Sequence, residues 1–152
     1  MKTSEKSRID NFLGQQHIAL AGYSRSPKKF GHEVYRILKG KGYTLYPVNP
    51  AGGRTPDGED IYTDLQELPA EVKALLVVTK PDVTSEVFEK AVSLGFEYLW
   101  IQQMSGSRKV YDRLCKQHEN AVCGKCILLH AQPEGVHKFH RWLVGLVGRL
   151  PR

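Results

Sequence analysis

The chain has 152 residues, 41% hydrophobic and 25% charged, with a formal net charge of +6. That suits one globular domain, large enough to bury about 70% of its unfolded surface without metal or disulfide staples. The basic excess favours an anionic partner such as nucleic acid, a nucleotide cofactor or a membrane surface, but the cations are scattered, with no block beyond Lys28-Lys29, as on a solvated basic surface, and no aromatic-plus-basic stacking motif marks a nucleic-acid site.

Residues 1–14 read as a polar N-terminal segment with no apolar run of the secretory kind. The first strand is predicted over residues 17–22. A small-residue loop follows, Gly22-Tyr23-Ser24-Arg25-Ser26-Pro27-Lys28-Lys29. Phe30, Val34, Ile37 and Leu38 then recur at helical spacing, and Gly40 and Gly42 stop that helix. Residues 43–49 form a second strand that ends at Asn49-Pro50. A Gly/Pro-rich loop over 51–60 leads to a short strand at Ile61-Tyr62, and Asp64 caps one helical turn before Pro69.

The apolar run over 74–79 suits a strand buried on both faces. Pro81-Asp82 opens a helix whose inner face is read as Val83, Val87, Ala91 and Leu94, with Gly95 as its stop. A fourth strand covers 96–102. A helix over 107–118 turns Val110 and Leu114 inward, and Ala121-Val122-Cys123 is the last short strand. Beyond residue 129, Val136, Phe139, Leu143, Leu146, Val147 and Leu150 mark an amphipathic helix. Its face is read as packing on the sheet, forming a dimer contact over 136–150, or meeting a membrane surface. No apolar run approaches the roughly 20 residues of a membrane span. Three cysteines argue against a disulfide framework and make the cytoplasm the expected compartment.

Strands alternating with helices predict an α/β, Rossmann-like, doubly wound and mainly parallel sheet of about five to six strands. The expected organisation is a domain over 15–129 and a helical extension over 130–152. Ligands of such sheets sit at the carboxyl ends of the strands. Here those ends are Gly22 to Ser26, Asn49-Pro50, Thr79 to Pro81, Gln102 to Ser105 and Cys123 to Cys126. A dinucleotide site would show G-x-G-x-x-G in the first loop and an acidic end to the second strand. Gly22 is followed instead by Tyr23-Ser24-Arg25, and the second strand ends in Asn49. No G-x-x-x-x-G-K-[ST] occurs either.

The set Ala21-Gly22-Tyr23-Ser24 with Phe30-Gly31, Tyr46-Pro47-Val48-Asn49-Pro50, Thr79-Lys80-Pro81, Leu99-Trp100-Ile101-Gln102-Gln103 and Gly124-Lys125-Cys126 resembles the CoA-binding domain family. That family is the Rossmann-like fold found at the N-terminus of the succinyl-CoA synthetase alpha subunit and in small stand-alone proteins. The resemblance implies coenzyme A or an acyl-CoA as a noncovalently bound ligand. It places the phosphates on Gly22, Tyr23, Ser24, Arg25 and Ser26, with Lys29 or Phe30 closing the loop. It puts Asn49 and Pro50 beside the adenosine, and Thr79, Lys80 and Pro81 under adenine and pantetheine. Gln102, Gln103 and Met104 would border the pantetheine arm. Cys126 matches a cysteine common in the family, whereas Cys123 departs from it. The synthetase's phosphorylated histidine lies outside the resemblance, so binding is implied and ligation is not.

Other constellations stay open on spacing alone. Cys123-x-x-Cys126 offers a thiol-redox pair, and Cys115 with His118 would extend it to a zinc set. An NAD(P)-type or thiol-redox oxidoreductase and a basic nucleic-acid or partner-binding module are the competing functions. No catalytic constellation and no metal site are assigned, and no nucleic-acid partner is expected.

Overall fold

The computed structural model describes residues 4–131. Five strands, β1 (His17–Ala21), β2 (Thr44–Val48), β3 (Ala74–Val77), β4 (Tyr98–Gln102) and β5 (Ala121–Lys125), form one parallel sheet in the order β2-β1-β3-β4-β5. The helices are α1 (Glu5–Leu13), α2 (Phe30–Gly40), α3 (Pro81–Ser93), α4 (Arg108–Gln117) and α5 (Ile127–His130).

Strand periodicity divides the core in two. Ile18, Leu20, Leu76, Trp100 and Val122 face α1, α2 and α5. Ala19, Ala21, Leu75, Val77, Leu99 and Ile101 face α3 and α4. All four residues of β3 are buried, as the continuous apolar run predicts. Pro47 sits in β2, an edge strand, where a missing N–H is tolerated. That edge is covered by one parallel bridge from Tyr62, whose N–H donates to Pro47 O at 2.8 Å and whose carbonyl accepts from Asn49 N at 2.8 Å. Asp64 accepts from Gln66 N and caps the short 3-10 turn Leu65–Glu67.

Three readings change. The polar N-terminal segment carries α1, capped by Ser4, which accepts from Ser7 N. Its single buried side chain, Phe12, meets Trp100 edge-on at 5.4 Å. Ile9 and Leu13 pack partly buried against the same core, but three apolar residues in a nine-residue polar segment make a short signal, so tertiary contact holds this helix. The inner face of α3 is Thr84, Phe88 and Ala91, while Val83 and Leu94 are each 40% exposed. Thr84 takes the inward position because its hydroxyl bonds the carbonyl of Ser105. Finally, Cys115 of α4 is joined to Cys123 of β5 by a disulfide, against the expectation of unpaired thiols. The predicted amphipathic helix over 136–150, with its packing, dimer and membrane readings, lies outside the described residues. No helix among the described residues is long and apolar enough to cross a membrane.

Candidate functional site

The register levels the carboxyl ends of the strands: Ala21 pairs with Val48 and Val77, Val77 with Ile101, and Gln102 with Lys125. The chain leaves β1 toward one face through α2 and leaves β3 toward the other through α3. The sheet order therefore reverses between β1 and β3, which is where such sheets open a crevice.

Gly22 holds that point. Its φ is +98°, and a Cβ there would lie 2.8 Å from the carbonyl carbon of Val78. Gly31, at the start of α2, approaches still closer, since its Cβ would stand 2.4 Å from Gly22 O. Gly31 thus performs the tight helix-to-strand packing that the third glycine performs in a dinucleotide fingerprint. Its nine-residue separation from Gly22 hides it from the G-x-G-x-x-G pattern.

Between the two glycines the loop divides by direction. The Tyr23 ring is fully buried, edge-on to Tyr35 at 5.0 Å and stacked on His32 at 6.1 Å. Burial raises the Tyr23 pKa, and its hydroxyl has no hydrogen-bond partner. Only the backbone of Tyr23 is therefore available at the rim. Ser24 Oγ accepts from Ser26 N at 3.2 Å, and Ser24 O lies 3.2 Å from His32 Nδ1. Arg25, Ser26, Lys28 and Lys29 are exposed. Lys29 is the N-cap of α2, and its side chain makes no cap hydrogen bond, so the helix start is left without a side-chain cap.

Asn49 ties the second strand end to the first loop. Its Nδ2 donates to Tyr23 O at 2.7 Å, and its Oδ1 accepts from Ala51 N at 2.8 Å. Each end of the amide makes one bond within the protein. A cleft of about 240 Å³ opens between this loop and Asn49, Ala51 and Gly52. Arg25 borders it and lies across Gly53, with Nη1 3.1 Å from where a Cβ would stand. Pro50 continues the turn after β2. The 51–60 loop is fastened to α2 by Asp57, which takes Lys39, Thr55 and Tyr35 as partners. Lys39 and Thr55 hold the Asp57 carboxyl below its ordinary pKa, and the Lys39 pKa is raised in return.

Across Gly22 stands the start of α3. Lys80 is its N-cap, Pro81 its first residue, and again no side chain caps it. Thr79 Oγ1 lies 2.8 Å from Thr84 Oγ1.

The β4 and β5 ends differ. The Gln102 side chain is 2% exposed, and its Oε1 accepts from Ile127 N at 3.1 Å, so it caps α5. Cys126 is buried at the N-cap of α5, with a free thiol. Met104 does the opposite: it is 80% exposed, at φ +74°. The structure thus brings Gly22 to Phe30, Asn49, Pro50 and Thr79 to Pro81 around the β1/β3 crevice. Gln102 and Cys126 turn away from it.

Pairing of Cys115 with Cys123 overturns Cys123-x-x-Cys126 as the redox pair and removes both residues from the zinc set. Cys126 lies three residues on, after the strand has bulged at Gly124, and its side chain enters the opposite core. Residues that sequence reasoning missed are Gly53 beneath Arg25 and Asp57, and for Gly31, quoted in the motif, it missed the close approach to Gly22 O. Glycine doublets and a lone aspartate in a loop carry no fingerprint of their own.

Comparison with known proteins points one way. Residues 16–132 match the family model described as CoA binding domain. An 83-residue stretch, 53% of this chain, is 37% identical to the alpha subunit of an acetate–CoA ligase (ADP-forming) of Pyrococcus furiosus. That stretch spans 18% of the ligase subunit. An uncharacterized protein of Bacillus subtilis, YneT, is 23% identical over 84% of this chain and 94% of its own length. A conserved hypothetical protein from Pyrococcus furiosus superposes with a TM-score of 0.67 at 34% identity, covering 74% of this chain and 97% of that one. A hypothetical protein from Pyrococcus horikoshii superposes with a TM-score of 0.71 at 23% identity over 93% of both chains.

Proposed function

This chain belongs to the CoA binding domain family, and we propose that it binds coenzyme A or an acyl-CoA noncovalently at the β1/β3 crevice. The observation that carries the reading is the double backbone approach at Gly22, to Val78 on one side and Gly31 on the other. It holds an uncapped helix start at the strand end, and the N–H groups there with the helix dipole suit a phosphate.

Arg25 and Lys29 supply the charge for the pyrophosphate and 3′-phosphate, and arginine does so bidentately. Asn49 fixes the loop through its amide and keeps one N–H and one oxygen lone pair for the adenosine side. Lys80 and Pro81 face the ligand from the α3 side, and Met104 meets the pantetheine arm. Gln102 and Cys126 hold the start of α5 and make no contact with the ligand. The role is holding the ligand, without catalysis, and the proposed compartment is the cytoplasm.

Calorimetry with CoA, acetyl-CoA, NAD and NADP tests this. CoA is expected to bind, and Arg25→Ala to weaken it about tenfold at low salt through loss of a charge-assisted pair. Tight NADP binding with no response to millimolar CoA contradicts the reading. The NAD(P) alternative is disfavoured because Asn49 follows β2, where a ribose-binding carboxylate would stand.

A further inference from the structure

The disulfide is placed where it can act on the rim. Cys115 lies in the last turn of α4, and Tyr111 lies one turn earlier on the same face. Cys115 is bonded to Cys123 of β5. Tyr111 packs on the next residue, Gly124, whose Cβ would stand 3.1 Å from the ring.

Tyr111 also supports both ends of the β4–α4 loop. Its hydroxyl donates to Gln102 O at 3.0 Å, and its ring edge lies 3.0 Å from a Cβ at Gly106. From the other side, Gln103 N donates to Lys125 O at 3.2 Å. The loop carries Met104 at positive φ, a conformation that persists only where the surroundings impose it. One covalent bond therefore fixes the helix face that imposes it.

Both bridged cysteines are only partly buried, whereas the free thiol of Cys126 is enclosed. The bridge is thus the less buried of the two sulfur sites.

We propose that Cys115–Cys123 is a reversible thiol–disulfide site whose state sets the order of the 103–106 loop. The partner is a small-molecule thiol. Its thiolate attacks one bridge sulfur, forms a mixed disulfide, and releases the other cysteine as a thiolate that takes up a proton. A second thiol attacks the mixed disulfide, leaving two cysteine thiols and one disulfide of the small thiol. Reduction frees the last turn of α4 from β5, Tyr111 loses its fixed seat, and the loop loosens. The effect on ligand affinity rests on the CoA reading above; the effect on the loop does not.

The test uses the full chain in glutathione buffers of set ratio, with thiol alkylation read by mass and amide exchange read residue by residue. Oxidised protein should show no rapidly alkylated cysteine, and reduced protein two, Cys115 and Cys123. Amides of 103–106 should exchange about tenfold faster after reduction, while β1 and β3 stay protected. CoA should bind the reduced form about fivefold more weakly, because the loop must then be ordered on binding. Cys115→Ser should reproduce the reduced behaviour in oxidising buffer. Chemical reduction of the unaltered chain gives the same readout should that variant fail to fold. Two reactive thiols under oxidising glutathione, or equal loop exchange in both states, overturns the proposal. A loop that responds in a protein with no CoA affinity in either state supports the switch and removes the CoA reading.

Discussion

The two halves of the rim are built by opposite means. At β1 and β3 the backbone is the scaffold: Gly22, Gly31 and Val78 meet main chain to main chain, and the charged side chains of Arg25, Lys28 and Lys29 are left outside. At β4 and β5 side chains are the scaffold. Gln102 caps α5, Thr84 holds Ser105, Tyr111 holds Gln102, and a disulfide holds α4 to β5. The first half leaves its cations exposed, and its closest approaches depend on the absence of a side chain at Gly22 and Gly31. The second half has its polar groups turned inward and presents little but Met104.

Four substitutions or conditions sharpen that contrast. Gly31→Ala should cost the most, about 3 kcal/mol of stability, because the new methyl collides with a backbone oxygen that cannot move without β1. Urea unfolding measures it; a loss under ~0.5 kcal/mol would show that the two elements yield easily. Asn49→Ala should come next, at about 1–2 kcal/mol, through the bonds to Tyr23 O and Ala51 N. CoA affinity should fall with it, and affinity that survives intact would mean the loop needs no such tie.

Met104→Gly should do the reverse and stabilise the chain by about 1 kcal/mol, since glycine relieves the positive φ and no buried contact is lost. A lower melting temperature would indicate that the exposed side chain supports the fold. The smallest effect is acid sensitivity of the 51–60 loop. Asp57 has a lowered folded pKa, so its contribution is complete above the ordinary carboxylate range, about pH 4, and fades as pH falls below it. Both partners of the Lys39 pair are part exposed, so the loss should stay under ~1 kcal/mol. With the intrinsic pH dependence of exchange divided out, Asp57→Asn should remove the acid-induced loss of protection in that loop.

The strand ends were legible in the sequence because apolar runs and their Gly, Pro and Asn stops are local signals. All five strands and α2, α3 and α4 follow from them within a residue or two. On the inner face of α3, Ala91 and the partly buried Val87 were legible and Thr84 was not, because a threonine with a buried carbonyl partner takes the place a valine would fill by hydropathy. The Cys115–Cys123 pairing was not, because a helix residue and a strand residue eight apart meet only once the sheet exists. At the rim, residue types were legible and their directions were not. Tyr23, Asn49 and Gln102 all look like ligand contacts in a string of letters. Their ring, amide and amide are directed to Tyr35, Tyr23 O and Ile127 N.

The central claim is that the ligand meets the backbone-built half of the rim. Backbone amide shifts recorded while CoA is added to the isotopically labelled chain test it most directly. The account predicts the largest changes at residues 22–31 and 78–81, with smaller ones at 103–105. Changes confined to the outer edge of β2 or to α3 beyond Phe88, or none at millimolar CoA, would contradict it.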